Sequence, residues 1–223
     1  GEHFVTTESS NVVMSNSFFG ARGNADGVEA AVAAAITGRT PKWGMHCREK
    51  RYATCLVRVE CNPKDVTEWD LLGFSIGRLL PRYVVPALAG NFTHVEIDRM
   101  KQFCSSISVT SATELCHIVG LTPEAQTLEM AVGPGRIEQE IVITAADCEE
   151  SLAMLCAGGG GPVDFISIGC PHLSIDEIKD VAEYLRGKTV AKGVELQVWT
   201  DYAIKAMATV NGYTRIIEEA GGY

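Results

Sequence analysis

Cys170 and His172 are the residues of this chain whose types and positions are best suited to chemistry. They lie in the run Gly169-Cys-Pro-His-Leu-Ser, after mostly apolar residues that predict a buried strand. Ser174 and Glu177 have the spacing of a capping box and predict that a helix begins there. A thiol and an imidazole are therefore expected at the carboxyl end of a strand, where open α/β sheets bind ligands. The alternative is a buried cysteine in a tight turn.

A second thiol and imidazole, Cys116 and His117, begin the apolar run from Leu115 to Leu121, which predicts a short strand. Neighbouring strand residues point to opposite faces, so only one of the two can readily face a given site. The alternative is a core cysteine beside a hydrogen-bonded histidine. Cys116 and Cys170, from separate strand ends, would suit an iron–sulfur cluster, although a third thiolate is needed and spacing alone does not identify it.

Arg22 precedes a predicted helix over residues 27–36, with Asn24 or Asp26 as the expected cap. Backbone N–H groups and the dipole at a helix start favour an anion, and a guanidinium adds a bidentate grip on a carboxylate. The alternative is a surface arginine beside a capping turn. Further hydrogen-bonding groups come from Ser15, Asn16, Ser17 and Asn24.

The elements that must position these residues are predicted from hydrophobic spacing and capping residues. Residues 8–24, rich in small polar side chains, predict an ordered loop, and the glycines at 158–161 predict a plain helix-to-strand connection. Strands are predicted over residues 52–60, 115–121, 136–144, 163–168 and 194–198. Helices are predicted over residues 27–36, 65–80, 97–103, 147–157, 175–186 and 202–210, with another starting at Thr122-Pro123.

Strands and helices alternate from residue 136 onward, which indicates βαβ units and a parallel sheet. The fold class is therefore α/β. We predict an N-terminal α/β portion over residues 1–120, containing the polar loop, and a βαβ portion over residues 121–223 that contains the Gly-Cys-Pro-His loop. The chain begins at Gly1 without a methionine, so we expect a fragment or a processed product.

The composition excludes several classes of protein. A net charge of −9 and scattered basic residues argue against a nucleic-acid surface. No apolar stretch approaches the roughly 18 residues of a membrane helix, and no signal peptide is visible. Eight cysteines without a CxxC pair favour reduced thiols in a cytoplasmic protein over a zinc ribbon. Four of them are expected in the core: Cys55, Cys104, Cys148 and Cys156.

Several motifs, in order along nearly the whole chain, together resemble the aconitase X family. The early motifs are Glu8-Ser-Ser-Asn, Ser15-Asn-Ser, Gly20-Ala-Arg-Gly-Asn and Ala34-Ala-Ile-Thr-Gly-Arg-Thr-Pro. The later motifs are Cys116-His-Ile-Val-Gly-Leu-Thr-Pro-Glu-Ala and Gly169-Cys-Pro-His-Leu-Ser. The resemblance implies an aconitase-like multi-domain core, with parallel or mixed sheets flanked by helices and a smaller swivelling domain that closes over the site.

The resemblance also implies an activity. Members of the family are hydro-lyases that hold an iron–sulfur cluster, [4Fe-4S] or [2Fe-2S], and eliminate water from a hydroxylated acid. It implies Cys116 and Cys170 as cluster ligands, and His117 and His172 as catalytic groups that support the cluster or the leaving hydroxyl. The small-molecule hydroxy acid would be held by Ser15, Asn16, Ser17, Arg22 and Asn24.

The chain departs from the family pattern at several places. The resemblance implies cysteine-containing segments upstream and downstream, and a swivelling domain, which we expect to lie outside this sequence. Gly23 replaces a common threonine, and Cys47-Arg-Glu-Lys-Arg replaces an Asp-Glu-Asn-Arg-like run, which weakens any contact carried over to residues 47–51.

The substrate is chosen from the two that the family uses. Bacterial members dehydrate cis-3-hydroxy-L-proline and archaeal members dehydrate mevalonate 5-phosphate. The loop of residues 8–24 contains no basic residue besides Arg22, which favours cis-3-hydroxy-L-proline over the phosphorylated substrate. A further alternative is a cluster-bearing scaffold that is inactive without the small swivelling domain.

Overall fold

The computed structural model describes residues 3–6, 11–92, 95–156, 158 and 160–223. The chain divides into two compact units, Gly1–Ala157 and Gly158–Tyr223. The Glu8-Ser-Ser part of the first motif lies outside the described residues.

The first unit is built on a four-stranded parallel sheet with the strand order β3-β2-β1-β4. Its strands are β1 (Cys55–Val59), β2 (Pro86–Ala89), β3 (His117–Ile118) and β4 (Gln139–Ile143). Its helices are α1 (Asn11–Ser17), α2 (Val28–Thr37), α3 (Val66–Leu79), α4 (Ile97–Ser111), α5 (Leu128–Val132) and α6 (Ala145–Leu155). Two short 3₁₀ helices, Gly44–His46 and Arg48–Lys50, precede β1. The α/β class and the parallel sheet are therefore confirmed.

The main core lies where α3 and α4 pack against the sheet. Trp69, Leu72 and Phe103 are almost fully buried there. Gly73 explains why the two helices approach closely, since a Cβ at this position would lie 2.6 Å from the backbone oxygen of Phe103. A glycine that weakens a helix by propensity therefore serves packing here.

The second unit is smaller. It contains the parallel strands β5 (Phe165–Ile168) and β6 (Glu195–Val198), and the helices α7 (Ile175–Leu185), α8 (Tyr202–Val210) and α9 (Tyr213–Glu219). Its core is formed by Leu173, Ile178, Ala182, Ala208 and Ile217. The predicted β5 is present, but most of its residues are exposed, so the prediction of a buried strand is wrong for this unit. Within the described ranges, no helix is long and apolar enough to cross a membrane.

The strongest local signals are confirmed. Asp65 caps α3 by accepting a hydrogen bond from the Glu68 amide, and Ser174 with Glu177 forms the predicted capping box of α7. Gly38 ends α2 in the left-handed conformation that favours glycine.

Three local predictions are wrong. The segment expected to be a loop contains α1, which buries polar side chains and so has no amphipathic pattern. Thr122-Pro123 does not begin a helix, because the Thr122 hydroxyl accepts a hydrogen bond from the Ile118 amide in a tight turn. The N-cap of α2 is Gly27, without a side-chain hydrogen bond.

The boundary between the two parts of the chain also differs from the prediction. We expected it between residues 120 and 121, and the structure has it between residues 157 and 158. β4 pairs in parallel with β1 over residues 55–59 and 139–143. Because a sheet folds as one layer, the segment from residue 121 to β4 and α6 belongs to the first unit. The second unit consists of the Gly-Cys-Pro-His loop and the elements around it.

Candidate functional site

The polar residues of α1 fasten the surrounding loops together. The Asn16 side-chain oxygen accepts a hydrogen bond from the Gly23 amide at 2.8 Å. Its nitrogen donates to the carbonyl oxygens of Gly23 and Glu114 at 2.8 and 2.7 Å. The Ser17 hydroxyl accepts from the Cys116 amide at 2.9 Å. Both side chains are buried, so they link the predicted substrate segment to the start of β3.

Asn24 has a similar positioning role. Its side-chain oxygen accepts a hydrogen bond from the Met45 amide at 2.7 Å, and its nitrogen donates to the Trp43 carbonyl at 3.3 Å. The side chain is fully buried and lies 3.4 Å from Nδ1 of His46. Asn24 therefore orders the turn before β1. The prediction that it caps α2 is wrong.

Arg22 differs from these residues because one nitrogen of its side chain has no described hydrogen-bond partner. Its Nη1 donates weakly to the His46 carbonyl at 3.5 Å, and its buried Nε has no partner within the part of the chain that the structure describes. The imidazole of His46 donates through Nδ1 to the Pro41 carbonyl at 2.8 Å, while its buried Nε2 has no described partner. Unsatisfied buried polar groups are costly, so each of these two atoms is a candidate to contact a polar ligand.

Ser15, the remaining residue predicted to bind substrate, lies in α1 beside these groups. Its carbonyl oxygen accepts a hydrogen bond from the Ala21 amide at 2.9 Å, and the residue is half-buried. All five residues predicted to bind substrate therefore lie in the first unit: Ser15, Asn16, Ser17, Arg22 and Asn24. Among these five, Arg22 has a buried nitrogen without a described hydrogen-bond partner.

Arg51 is the residue that sequence reasoning missed. Its side chain is 2% exposed and grips the carboxylate of Glu124, with Nη2 donating at 2.7 Å and Nε at 2.9 and 3.1 Å. Its Nη1 also donates to the Asn16 side-chain oxygen and to the Met45 carbonyl, each at 3.2 Å. Arg51 thus joins α1, the 3₁₀ turns and the loop after β3 into one buried network.

No local signal could have identified Arg51. It ends a charged run that is typical of a solvated surface, and its carboxylate partner is 73 positions away. Glu124, however, lies within the motif that begins at Cys116. A conspicuous acidic residue in an otherwise apolar motif is the one clue that a buried cation pairs with it.

His117 completes this network. Its Nε2 donates to the Arg51 carbonyl at 2.8 Å, and its Nδ1 is buried without a described partner. Burial lowers the pKa of His117 and outweighs the opposing effect of the Arg51 carbonyl and of Glu124. The imidazole is therefore neutral, with an unshared electron pair on Nδ1 that can accept a proton or a hydrogen bond.

Glu124 stays ionised. Burial raises the pKa of its carboxyl group, but the hydrogen bonds and the charge of Arg51 outweigh this effect, and the net pKa is lowered. We name the set of Asn16, Ser17, Arg51, His117 and Glu124 the amino-edge network, because Arg51 precedes β1 and His117 is the first residue of β3.

Cys116 lies beside this network, within the main core. It is 0% exposed and its Sγ approaches the His117 carbonyl at 3.8 Å. Burial, followed by the neighbouring Cys104, raises the pKa of the Cys116 thiol well above its usual range. A protonated thiol among apolar side chains is a poor metal ligand, because the thiolate is the form that binds.

Cys170 lies in a different environment, in the loop after β5. Gly169 has φ of +124°, and a Cβ there would clash with the Trp199 backbone, so only glycine fits this turn. The Leu173 amide donates to the Trp199 carbonyl at 3.0 Å and holds the loop against the end of β6. The Cys170–Pro171 peptide is cis, and Cys170 and His172 are exposed.

The two cysteine–histidine pairs therefore belong to separate units, with Cys116 and His117 in the first and Cys170 and His172 in the second. In the described part of the chain, no group of three or more His, Cys, Asp and Glu side chains could hold a metal ion. Of the cysteines expected in the core, Cys55 and Cys104 are buried, Cys148 is partly buried and Cys156 is exposed.

Comparisons with known proteins relate each part of the chain to one family. Residues 1–49 match a model described as Aconitase X first domain, residues 53–153 match Aconitase X second domain, and residues 163–223 match Aconitase X third domain. A crystal structure of Thermococcus kodakaraensis aconitase X (holo-form) superposes with a TM-score of 0.82 at 32% identity. It covers 99% of this chain, which in turn covers 55% of that chain.

Curated relatives give the same result. The phosphomevalonate dehydratase large subunit of Methanothermobacter thermautotrophicus is 38% identical over 100% of this chain and 53% of its own length. The cis-3-hydroxy-L-proline dehydratase of Hypocrea jecorina is 30% identical over 98% of this chain and 37% of its own length. The chain thus spans about half the length or less of these relatives. With all three domain models matched in order, the chain belongs to the aconitase X family.

Proposed function

We propose that the chain forms part of the large subunit of a dehydratase that eliminates water from mevalonate 5-phosphate. The observation that carries this proposal is the similarity to named relatives. Phosphomevalonate dehydratase large subunits reach 38% identity, whereas cis-3-hydroxy-L-proline dehydratases reach 30 and 28%. The preference for cis-3-hydroxy-L-proline, drawn from the sequence, is therefore the weaker of the two.

The preference for cis-3-hydroxy-L-proline depends on the lack of basic residues other than Arg22 in residues 8–24. The structure explains why the composition of this segment is a poor indicator of the substrate. The side chains of Asn16, Ser17 and Asn24 form hydrogen bonds with backbone groups of the protein. Their number therefore says little about whether a phosphate is bound. Phosphate can also be held by backbone N–H groups at helix starts, which add no basic residues to a sequence.

Arg22 is the residue that we propose to contact the substrate directly. Its buried Nε lacks a described partner and Nε2 of His46 has the same property, so an oxygen anion with a hydroxyl nearby would satisfy both. Both negative groups of mevalonate 5-phosphate, a carboxylate and a phosphate, are suitable. Four residues act as positioning residues that hold the surrounding segments in place: Asn16, Ser17, Asn24 and Arg51.

The family implies an iron–sulfur cluster, which supplies a Lewis acid for the departing hydroxyl when bound. Cys170 fits a ligand role, because its thiol is exposed and the neighbouring His172 is exposed too. The ligand role of Cys116 stays a prediction, because the thiol is 0% exposed and burial raises its pKa, which disfavours the thiolate that a cluster binds. The described residues do not complete a ligand set, so we derive no reaction step through the cluster. His117 and His172 stay candidates for proton transfer.

The partner and the location follow the same reasoning. Since the relatives are named large subunits, we propose a small subunit as partner. All eight cysteines are free thiols, which supports our expectation of a reducing, cytoplasmic location.

The test uses the longest polypeptide containing this sequence, produced anaerobically with the small subunit from the same source. We expect dehydration of mevalonate 5-phosphate and at most weak turnover of cis-3-hydroxy-L-proline. The reverse order would overturn the proposed substrate. Turnover of neither substrate, with iron bound, would favour the scaffold alternative.

Arg22→Gln tests the proposed contact in the same assay. Loss of a charged hydrogen bond predicts a roughly 10- to 100-fold increase in KM. Arg39→Gln, at an exposed arginine of the same unit, is the matched control and should leave KM unchanged. An unchanged KM in Arg22→Gln would show that Arg22 does not contact the substrate.

A further inference from the structure

The side chain of Glu114 reaches the segment that follows Arg22. Its Oε1 accepts a hydrogen bond from the Ala25 amide at 2.6 Å, although the two residues are 89 positions apart. The carbonyl oxygen of Glu114 accepts a second hydrogen bond, from the Asn16 side chain at 2.7 Å. Glu114 therefore joins three parts of the first unit, which are α1, the segment after Arg22 and the approach to β3.

The backbone on either side of Glu114 is fixed. Thr113, the residue before it, is buried, and its hydroxyl donates to the Val84 carbonyl at 3.1 Å. After it, the Cys116 amide donates to the Ser17 hydroxyl at 2.9 Å. The Glu114 carboxylate therefore extends from a backbone that is held in place relative to β3, and it can transmit this position to the residue that it binds.

The segment after Arg22 is held at alternate residues. The Gly23 amide donates to the Asn16 side-chain oxygen at 2.8 Å, and the Ala25 amide donates to the Glu114 carboxylate. The direction of an arginine side chain depends on the backbone from which it extends. Because a displacement of about 1 Å in a positioned group can cost roughly 100-fold in rate, a hydrogen bond that fixes this backbone matters for the guanidinium.

Two simpler roles explain this contact less well. Glu114 does not cap α2, because the N-cap of that helix is Gly27, without a side-chain hydrogen bond. A role in stability alone is weak, since Ala25 is exposed and water competes for a hydrogen bond at its amide. What the contact provides is a fixed position for the segment between Arg22 and α2.

We propose that Glu114 is a positioning residue for Arg22. This inference rests on the proposed function, in which Arg22 contacts the substrate. By accepting the hydrogen bond of the Ala25 amide, the carboxylate fixes the segment that sets the direction of the guanidinium. An uncharged oxygen acceptor is sufficient for this role, because the backbone amide supplies the proton. Glu114→Gln should therefore preserve the role, and Glu114→Ala should remove it.

The experiment measures KM and kcat for mevalonate 5-phosphate, using the longest polypeptide that contains this sequence together with the small subunit. Loss of one hydrogen bond predicts that Glu114→Ala raises KM about threefold to tenfold, while Glu114→Gln stays within about twofold of the parent. The kcat should not change, because the contact of Arg22 with the substrate is made before and during the reaction. Glu149→Ala, at an exposed glutamate of α6, is the matched control and should change neither constant. A parent-like KM in Glu114→Ala would overturn the proposal.

A double variant shows whether Glu114 acts through Arg22. Two residues that act on one contact have non-additive effects. Arg22→Gln combined with Glu114→Ala should therefore have the same KM as Arg22→Gln alone. If the two effects multiply instead, Glu114 acts elsewhere and the positioning role is wrong, while the proposed contact of Arg22 stands.

Hydrogen exchange measures the same contact without any activity. The Ala25 amide should exchange about tenfold faster in Glu114→Ala than in the parent, and Glu114→Gln should restore the slower rate. Equal exchange in all three chains would overturn the proposal whatever the substrate is. A faster exchange in Glu114→Ala, with an unchanged KM in Arg22→Gln, would show that the hydrogen bond exists but that the proposed substrate contact, and with it the positioning role, is wrong.

Discussion

Cys116 and Cys170 lie at opposite ends of their strands and in opposite environments. Cys116 precedes β3, is 0% exposed and lies in the main core, whereas Cys170 follows β5 and is exposed in a loop fixed by Gly169. Each cysteine has a histidine close by in sequence. The comparison teaches that the strand end and the burial, more than the residue pair, decide whether a thiol is available for chemistry.

The surroundings differ as much as the thiols do. Cys116 and His117 lie beside the amino-edge network, in which a buried arginine binds a partly buried carboxylate. The second pair is held mainly by backbone geometry, through the Gly169 turn and the Leu173 amide. A substitution that disrupts the amino-edge network should leave the reactivity of the Cys170 thiol unchanged. A substitution that disrupts the Gly169 turn should likewise leave the reactivity of Cys116 unchanged.

The largest expected effect comes from Arg51→Ala, which removes the partners of Glu124 and Asn16. Removing one member of a buried ion pair costs about 3–5 kcal/mol, and because Glu124 is partly exposed we expect the lower end of this range. Urea denaturation followed by Trp fluorescence should show this loss and expose Cys116 to thiol reagents while Cys170 reacts as before. Arg186→Ala is the matched control, because its Glu183 partner is exposed and such pairs contribute about 1 kcal/mol or less. Equal losses in both variants would refute the structural role of Arg51.

The second prediction compares the two thiols directly. In the folded chain Cys170 should react with iodoacetamide about 100-fold faster than Cys116, because exposing Cys116 requires local opening that costs ~3 kcal/mol or more. Mass spectrometry of peptides over time gives both rates in one sample. Comparable rates in the native chain would mean that Cys116 is accessible and would restore it as a candidate ligand. In urea the two rates should become similar.

Gly169→Ala should have a smaller effect, confined to the second unit. The positive φ and the clash with the Trp199 backbone predict a loss of roughly 1–3 kcal/mol. Gly187→Ala is a useful control, since it shares a positive φ but has open space around it, and it should cost less. Thermal unfolding measures both. A Gly169→Ala chain as stable as the parent would show that the loop can adopt another conformation.

The smallest expected effect is a dependence of stability on pH. The folded pKa of Glu124 is below its unfolded value, so its contribution is present above the unfolded pKa and is lost as pH falls through the folded pKa. His117, whose folded pKa is also lowered, acts in the same direction, and its contribution begins to fall below its ordinary pKa near 6.5. Urea midpoints from pH 8 to pH 4 should therefore fall, and less steeply in Glu124→Gln. A parallel fall in both chains would exclude Glu124 as the cause.

Much of the fold was predictable where local chemistry and tertiary structure agree. The helix that begins after Ser174 has its cap and its apolar spacing in one short stretch of sequence, and so has the helix after Asp65. α1 was not predictable, because its buried face contains Asn16 and Ser17, whose partners are backbone groups up to 99 positions away. The family motifs contain the residues that we predict for the site, but the structural roles of these residues depend on those distant partners.

Arg51 lies between the segments that match the first and second aconitase X domains, and it hydrogen-bonds both sides, at Asn16 and at Glu124. It therefore adds an ionic link between two segments that also meet through the hydrogen bonds of Asn16 and Ser17 and through the packing of α1 in the main core. A chimera that takes residues 1–49 from one family member and residues 53–153 from another must supply both contacts of Arg51, with Asn16 and with Glu124. A chimera that supplies only one of these two contacts should be destabilised, as expected for Arg51→Ala.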